Sequence, residues 1–240
     1  MLTKIIRDPE ISEFLQKFQK LEKLVKNYPG VENKITFRDA LLRFSQINAF
    51  VKGNFPLIED LYSLRNVFSH KNRGIYIAKI NNIALKKLDK IISELKNPPT
   101  VISRFGCKVF QTDVNNDITQ VMKVMHDRIY TQVPVWDRSK LVGVFSYTSF
   151  FEWLIERKEI ENEPAFTKKV FSDINAKYLN SPAVNFQFIP ERMSIYEIPP
   201  IFEKETRQSR RLDCLLITRN GKRNEKVTGI ITSWDLGEII

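Results

Sequence analysis

Apolar residues recur at helical spacing through the first hundred positions. Ile11, Phe14, Leu15, Phe18, Leu21, Leu24 and Val25 form one stripe, entered through Asp8 as N-cap and Pro9 at the first helical position. Thr36, with Asp39 three residues on, starts a second helix that carries Leu41, Leu42, Phe44, Ile47, Phe50 and Val51 until Gly53 ends it. A third begins near Pro56. A fourth covers 75–96, with Ile77, Ile80, Ile83, Ala84, Leu88, Ile91, Ile92 and Leu95 on one side. Four amphipathic helices with short connections predict an all-α antiparallel bundle. Two prolines in KNPPT (96–100) then stop the last helix and stiffen the connection.

Beyond the prolines the period changes. DITQVMKVMHDR (117–128) reads as a helix, YTQVPVW (130–136) and LVGVFSY (141–147) as strands around the turn DRSK, and Thr148 as the start of another helix. The order returns near the end. SIYEIPPIFEKE (194–205) reads as a helix, LDCLLIT (212–218) and VTGIITS (227–233) as strands, and WDLGEII opens a helix. A strand–turn–strand–helix unit that reappears about 85 residues later is an internal repeat. The charged ERKEIENEP between the two continues a helix into a linker.

Composition narrows the class. With 42% apolar and 28% charged residues in 240, the chain is globular rather than disordered. No apolar run approaches the roughly 18–20 residues of a membrane span. The start, MLTKIIRDPEISEF, lacks a signal-peptide apolar core, so a cytoplasmic protein without membrane association is expected. Cys107 and Cys214 fit no metal-ligand spacing and are expected to be reduced and half-buried. Two histidines add no ligand cluster, so no metal site is expected. His126 is expected on a solvated surface.

Charge is divided unevenly. Residues 1–100 hold 18 Lys and Arg against 10 Asp and Glu, and residues 101–240 hold 20 against 18, so nearly all of the net +10 lies in the first part. A basic region joined to a near-neutral one suggests that the first meets a polyanion such as RNA.

The repeat resembles the CBS domain. VPVWD and KLVGVFS follow the first repeat's helix in the family's order, and GIITSWD matches its closing pattern G-h-x-[ST]-x-x-[DN]. The resemblance covers roughly 101–240 and implies tandem α/β (α+β) CBS domains, a Bateman module, that bind an adenine nucleotide (AMP, ADP or ATP) as a regulatory ligand, with no required cofactor. One pocket would use Ile230, Thr232 and Asp235, with Phe110, Tyr130 and Thr131 from the first repeat lining the base. In the symmetric pocket Ser146 survives, but Ser149 stands where the ribose-binding acid belongs, and Arg211 and Leu212 replace Tyr130 and Thr131. One good site at most is therefore expected. The chemistry of that site also follows from the residues. A hydroxyl and backbone amides at a helix N-terminus suit an anion, and a carboxylate one turn in can accept from two ribose hydroxyls. Read structurally, Thr232 and Asp235 are a helix cap.

In the helical region SLRNVFSHKN (63–72) places Arg65, Asn66 and His70 together near a helix end. At 100° per residue from Leu57, Leu61, Leu64 and Phe68 fall on the buried stripe, and Tyr62, Arg65, Asn66, Ser69 and His70 on the far side. RNVFSH resembles the R-x4–6-H motif of the HEPN superfamily, helical bundles in which two copies of the motif meet across a dimer as a metal-independent ribonuclease site. That resemblance covers 9–96. Such cleavage needs a base, an acid and positive charge for the developing phosphorane. His70 titrates near neutrality, Arg65 is a fixed phosphate fork, and Asn66 can orient either. One His70 per chain makes this half a site and calls for a homodimer. Lys71 and Arg73 would hold flanking phosphates.

The sequence thus divides into a HEPN-like bundle (1–96), a linker (97–100), a first CBS repeat (101–158), a helical linker (159–180) and a second CBS repeat (181–240). The activity expected is a ribonuclease regulated by the CBS pair. The alternative is a non-catalytic nucleotide sensor whose helical domain binds RNA or a protein partner.

Overall fold

The computed structural model describes residues 8–31, 34–69, 79–156, 170–174, 176–180 and 184–239. It divides into two compact units, one of residues 1–98 with 196–200 and one of residues 99–195 with 201–239.

The described elements of the first 98 residues are helices. In α1 (Pro9–Lys26) the Asp8 carboxylate accepts from the Glu10 and Ile11 N–H groups at 3.0 and 3.3 Å, as the Asp-Pro start predicts. In α2 (Phe37–Ile47) the Thr36 hydroxyl accepts from the Asp39 N–H at 3.2 Å. The expected second helix breaks at Asn48, which is extended. Its side chain caps a new start, α3 (Ala49–Gly53), by accepting from the Val51 N–H at 3.0 Å. Asparagine competes with helix continuation in this way. The remaining helices are α4 (Phe55–Ser69) and α5 (Asn82–Lys96), the last capped by Asn81 and so beginning later than position 75. Ile77, with the rest of 70–78, lies outside the described residues.

Phe14, Phe18, Leu21, Phe44, Ile58, Leu61, Phe68, Leu88 and Ile91 form the core of this unit. Two expected core positions are exposed, Leu42 by 51% and Ile83 by 63%. Ile83 sits about 160° around the wheel from the centre of the stripe that Leu85, Leu88, Ile92 and Leu95 define, and Leu42 is off its stripe by a similar angle. The antiparallel arrangement is not followed throughout. Lys17 of α1 meets Asp89 of α5 at 2.6 Å, and Leu24 and Leu95 line one hollow, so α1 and α5 run the same way. Phe18 meets Phe37 and Tyr28 meets Phe44, which sets α2 alongside α1 in the same sense. The ten-residue stretch between α1 and α2 can span up to about 33 Å, enough to carry the chain back along a helix of about 16 Å. By contrast α4 opposes α1, with Phe14 against Phe68 and Phe18 against Tyr62.

The second unit begins with α6 (Val101–Phe105), β1 (Thr112–Asp113), α7 (Ile118–Arg128), β2 (Gln132–Asp137), β3 (Lys140–Ser146) and α8 (Tyr147–Glu156). A 3-10 turn (Phe171–Asp173) and α9 (Ala176–Leu179) follow. Then come β4 (Phe186–Pro190), a 3-10 turn (Ile195–Glu197), α10 (Ile198–Arg207), β5 (Cys214–Thr218), β6 (Val227–Ile231) and a 3-10 helix (Ser233–Glu238). The charged linker past Glu156 lies outside the described residues up to Val170.

The repeat is present in three dimensions. Each half has a three-stranded sheet, β1-β2-β3 and β4-β5-β6, whose first pair is parallel and second antiparallel. Even the irregularity recurs, at Val135/Trp136 in one half and Ile217/Thr218 in the other. Gly143 and Gly229 occupy equivalent registers, opposite Val135 and Ile217. A Cβ on Gly143 would stand 2.3 Å from the Leu179 carbonyl oxygen, and one on Gly229 2.6 Å from that of Phe105. Only glycine admits this approach of a crossing segment over the third strand.

The first half packs an aromatic core of Phe145, Phe150, Trp153 and Phe171, which Ile174, Tyr178 and Leu179 also join. A second core joins the halves through Leu141 and Val144 on one side and Val184, Cys214, Leu216 and Val227 on the other.

Candidate functional site

The corner that closes each repeat is built by the chain's turn from its third strand into a helix. At the second corner, Thr232 precedes the 3-10 helix and Asp235 is its third residue. The Thr232 N–H donates to Asp235 Oδ2 at 2.6 Å and the Thr232 hydroxyl donates to the same oxygen at 2.9 Å. Both residues are half-buried, while Trp234 between them is 85% exposed. The expected α-helix is a 3-10 helix of six residues, so the aligned dipole that would favour an anion is short here.

At the first corner the Ser146 N–H donates to Ser149 Oγ at 2.8 Å, and the Ser149 N–H donates back to Ser146 Oγ at 3.2 Å. The Ser149 hydroxyl also donates to the Ser146 carbonyl at 2.8 Å, and Ser149 is fully buried. Its hydroxyl is engaged internally.

The expected base-lining residues come from the first repeat. Phe110 packs on that repeat's core and stacks on Tyr130, with ring centroids 5.9 Å apart and planes 23° apart. Thr131 donates to Gln132 Oε1. The segment that leads to Phe110 lies along β6: Gly106 bridges Gly229, the Cys107 N–H donates to Thr228 O at 3.1 Å, and Gln111 Nε2 donates to Val227 O at 3.3 Å. This brings the backbone around Phe110 beside the strand that ends at Thr232. Ile230, on that strand, packs against the core shared by the halves.

In the helical unit, Arg65 is partly exposed. Its Nη1 donates to Asn66 Oδ1 at 3.0 Å and its Nη2 lies 3.9 Å from Glu22. Tyr62, expected on the polar far side, is turned inward against Phe18 and Phe37 at 6.1 and 5.0 Å, because α1 and α2 close over that flank of α4. His70, Lys71 and Arg73 lie outside the described residues. His126 is exposed in the last turn of α7. Cys214 is buried, where desolvation pushes its thiol pKa up, and Cys107 is exposed rather than half-buried. Among the described residues no group of three potential metal ligands occurs, and no helix is long and apolar enough to cross a membrane.

One cluster escaped the sequence reading. Glu205 on α10 is nearly buried and accepts from Arg210 Nε at 2.9 Å, Gln187 Nε2 at 3.1 Å and Asn185 Nδ2 at 3.3 Å. The hydrogen bond from Arg210 holds its carboxyl below the usual range. Asp213, also buried, pairs with Arg211 at 2.9 Å, yet desolvation raises its pKa. The signal was in RRLD (210–213), two arginines and an acid abutting an apolar strand.

No curated protein matches the sequence. Solved structures similar to the chain include a protein assigned to acetoin utilization from Vibrio cholerae, 17% identical with a TM-score of 0.43, over 60% of this chain and 90% of that one. A CBS domain pair crystallised with 5′-methylthioadenosine and S-adenosyl-L-methionine is 15% identical, with a TM-score of 0.39 over 60% of this chain and 96% of that one. The CBS domain of a membrane protein from Sphaerobacter thermophilus is 18% identical, with a TM-score of 0.42 over 66% and 98%. The family model that matches is the CBS domain, over residues 107–156, and the chain carries that domain there.

Proposed function

We propose that the chain is a regulatory protein whose second unit senses an adenine nucleotide at a single site, the corner of Thr232 and Asp235. The observation that supports this reading is the half-buried carboxylate of Asp235. Thr232 engages its Oδ2, which leaves Oδ1 for a ribose hydroxyl. The stacked Phe110 and Tyr130 rings offer a flat wall for a base, and Thr131 and Ile230 complete the lining. AMP, ADP and ATP are the ligands to try, each in a thermal-shift titration of wild type and Asp235→Ala. A ligand at a hundred times its Kd adds about 2.7 kcal/mol to stability. The nucleotide-induced shift is expected in wild type and lost in the variant. If no nucleotide shifts the wild type, or both proteins shift alike, the reading fails.

A second reading concerns what is regulated. Arg65, paired with Asn66 on the partly exposed side of α4 in the basic region, favours metal-independent RNA cleavage completed by His70 of a second copy. Lys71 and Arg73 would hold flanking phosphates. RNA incubated with the protein and a chelator should be cut by wild type and left whole by Arg65→Ala and by His70→Ala. Sedimentation should find a dimer. Intact RNA with bound protein would instead support a helical unit that only docks RNA or a protein. The nucleotide would act by preferring one arrangement of two copies.

A further inference from the structure

A hollow of about 370 Å³ opens in the helical unit where α1 and α5 end beside each other. Its lining is mainly apolar and includes Leu24, Leu95 and two rings. The Tyr28 ring lies on the buried Phe44 ring, with centroids 4.0 Å and planes 30° apart. The Tyr28 hydroxyl is hydrogen-bonded to Glu197 and Asn48, neither of which lines the hollow. Three exposed lysines, Lys20, Lys23 and Lys96, share the lining with these apolar groups.

These lysines differ from their neighbours on α1. Lys17 pairs with both Glu13 and Asp89 at 2.6 Å, and Lys26 with Glu22 at 3.0 Å. Lys20, Lys23 and Lys96 pair with no acid among the described residues, and within their helices none stands three or four places from them. The adjacent acids are directed elsewhere: Glu22 meets Lys26, and Glu94 accepts from the Tyr196 hydroxyl at 2.5 Å. Two helix C-termini carry about half a negative charge each, so three ammoniums leave roughly two positive charges over the hollow. Exposed ammoniums hold a bare anion weakly in water, and an apolar lining does not choose the sign of a ligand. A ligand that uses both parts has an apolar body and one anionic end. The volume is at the lower end for small-molecule sites.

We propose that this hollow binds a small amphipathic carboxylic acid, its apolar body against Tyr28, Phe44, Leu24 and Leu95 and its carboxylate among the three lysines. The inference is independent of the nucleotide and RNA readings, because the ligand has neither base nor phosphate. Calorimetric titration of the full chain with decanoate tests it. Wild type should bind saturably, and octanoate should bind at least fourfold more weakly, since each buried methylene is worth about fourfold in affinity. Lys20→Gln combined with Lys23→Gln should weaken decanoate at least tenfold. Both positions are exposed and unpaired, so the fold should survive the exchange, which an unchanged thermal midpoint verifies. Lys86→Gln removes a charge near the start of α5, away from the hollow, and should bind within twofold of wild type. Decyltrimethylammonium keeps the chain and reverses the charge, acetate keeps the charge without the chain, and each should bind at least tenfold more weakly than decanoate. Absence of saturable decanoate binding, equal binding of decyltrimethylammonium, or a double glutamine variant that binds like wild type would each overturn the proposal.

Discussion

The two closing corners occupy the same place in their repeats and carry opposite chemistry. Ser146 and Ser149 exchange backbone-to-hydroxyl hydrogen bonds in a site closed to solvent, and a ten-residue helix follows that buries Phe150 and Trp153. Thr232 and Asp235 make the comparable contacts through a carboxylate that solvent still reaches, and only a short 3-10 helix follows. The serine pair demonstrates that the turn can be capped without an acid. The carboxylate at 235 is therefore more than the geometry of the turn demands, and this motivates reading it as a ligand group.

Exchanging the two chemistries is the strongest way to break the comparison. Ser149→Asp places an unpaired carboxylate at a fully buried position and should cost about 3–5 kcal/mol at pH 7, measured by urea unfolding. Burial would raise that carboxyl's pKa in the folded state, so the loss should shrink as pH falls through it. A variant as stable as wild type would mean that the first corner can admit an acid after all. Next in size is the glycine pair. Gly143→Ala drives a Cβ into a backbone carbonyl at 2.3 Å and should cost about 3 kcal/mol. Gly229→Ala should cost less, since one of its nearest atoms is the movable Ile217 Cδ1. The reverse order in chemical denaturation would mean that the two crossings are not equivalent.

Asp235→Ser should cost about 1 kcal/mol, the worth of a cap, because it imitates the first corner. A much larger loss would make the acid structural. The smallest effect concerns pH. Glu205 has its folded pKa lowered by Arg210, so its contribution is present above about 4.5 and is lost as pH falls through the folded value. Wild type should therefore lose more stability than Glu205→Gln between pH 5 and pH 3, read by thermal midpoints. Parallel curves would deny the arginine its effect on this carboxyl.

Much of this fold was legible where local chemistry decides it. Asp8-Pro9, Thr36 and Asp117 each start the helix that the spacing predicts, and the β2–β3 hairpin sits on VPVWD and KLVGVFS. What escaped is set by partners distant in sequence. β1 has only two residues, too few to show a period, and β4 becomes a strand by pairing with β5. Tyr62 faces inward because α1 and α2 cover it, which no wheel drawn on α4 alone can reveal. At the candidate corner, the pattern GIITSWD marked a turn into a helix, and that helix is a 3-10 helix. The place of Arg223 is invisible in sequence, since the carbonyls it reaches, those of Leu141 and Val142, belong to β3 of the other repeat.

The bridge from Gly106 to Gly229, with Val101 donating to Met193 O and Cys107 to Thr228 O, gives the opening of the first repeat to the second. A growing chain emits that segment long before its partner strand exists. The second sheet's outer neighbour must therefore wait in the nascent protein until β6 has been made, and the contact closes a long loop between Gly106 and Gly229. Cutting the gene between the repeats would yield no finished half: the leading fragment would carry an orphaned edge, and the trailing one would lack its cover. Residues 99–239 should accordingly melt in one transition, with the final strand acting as the latch.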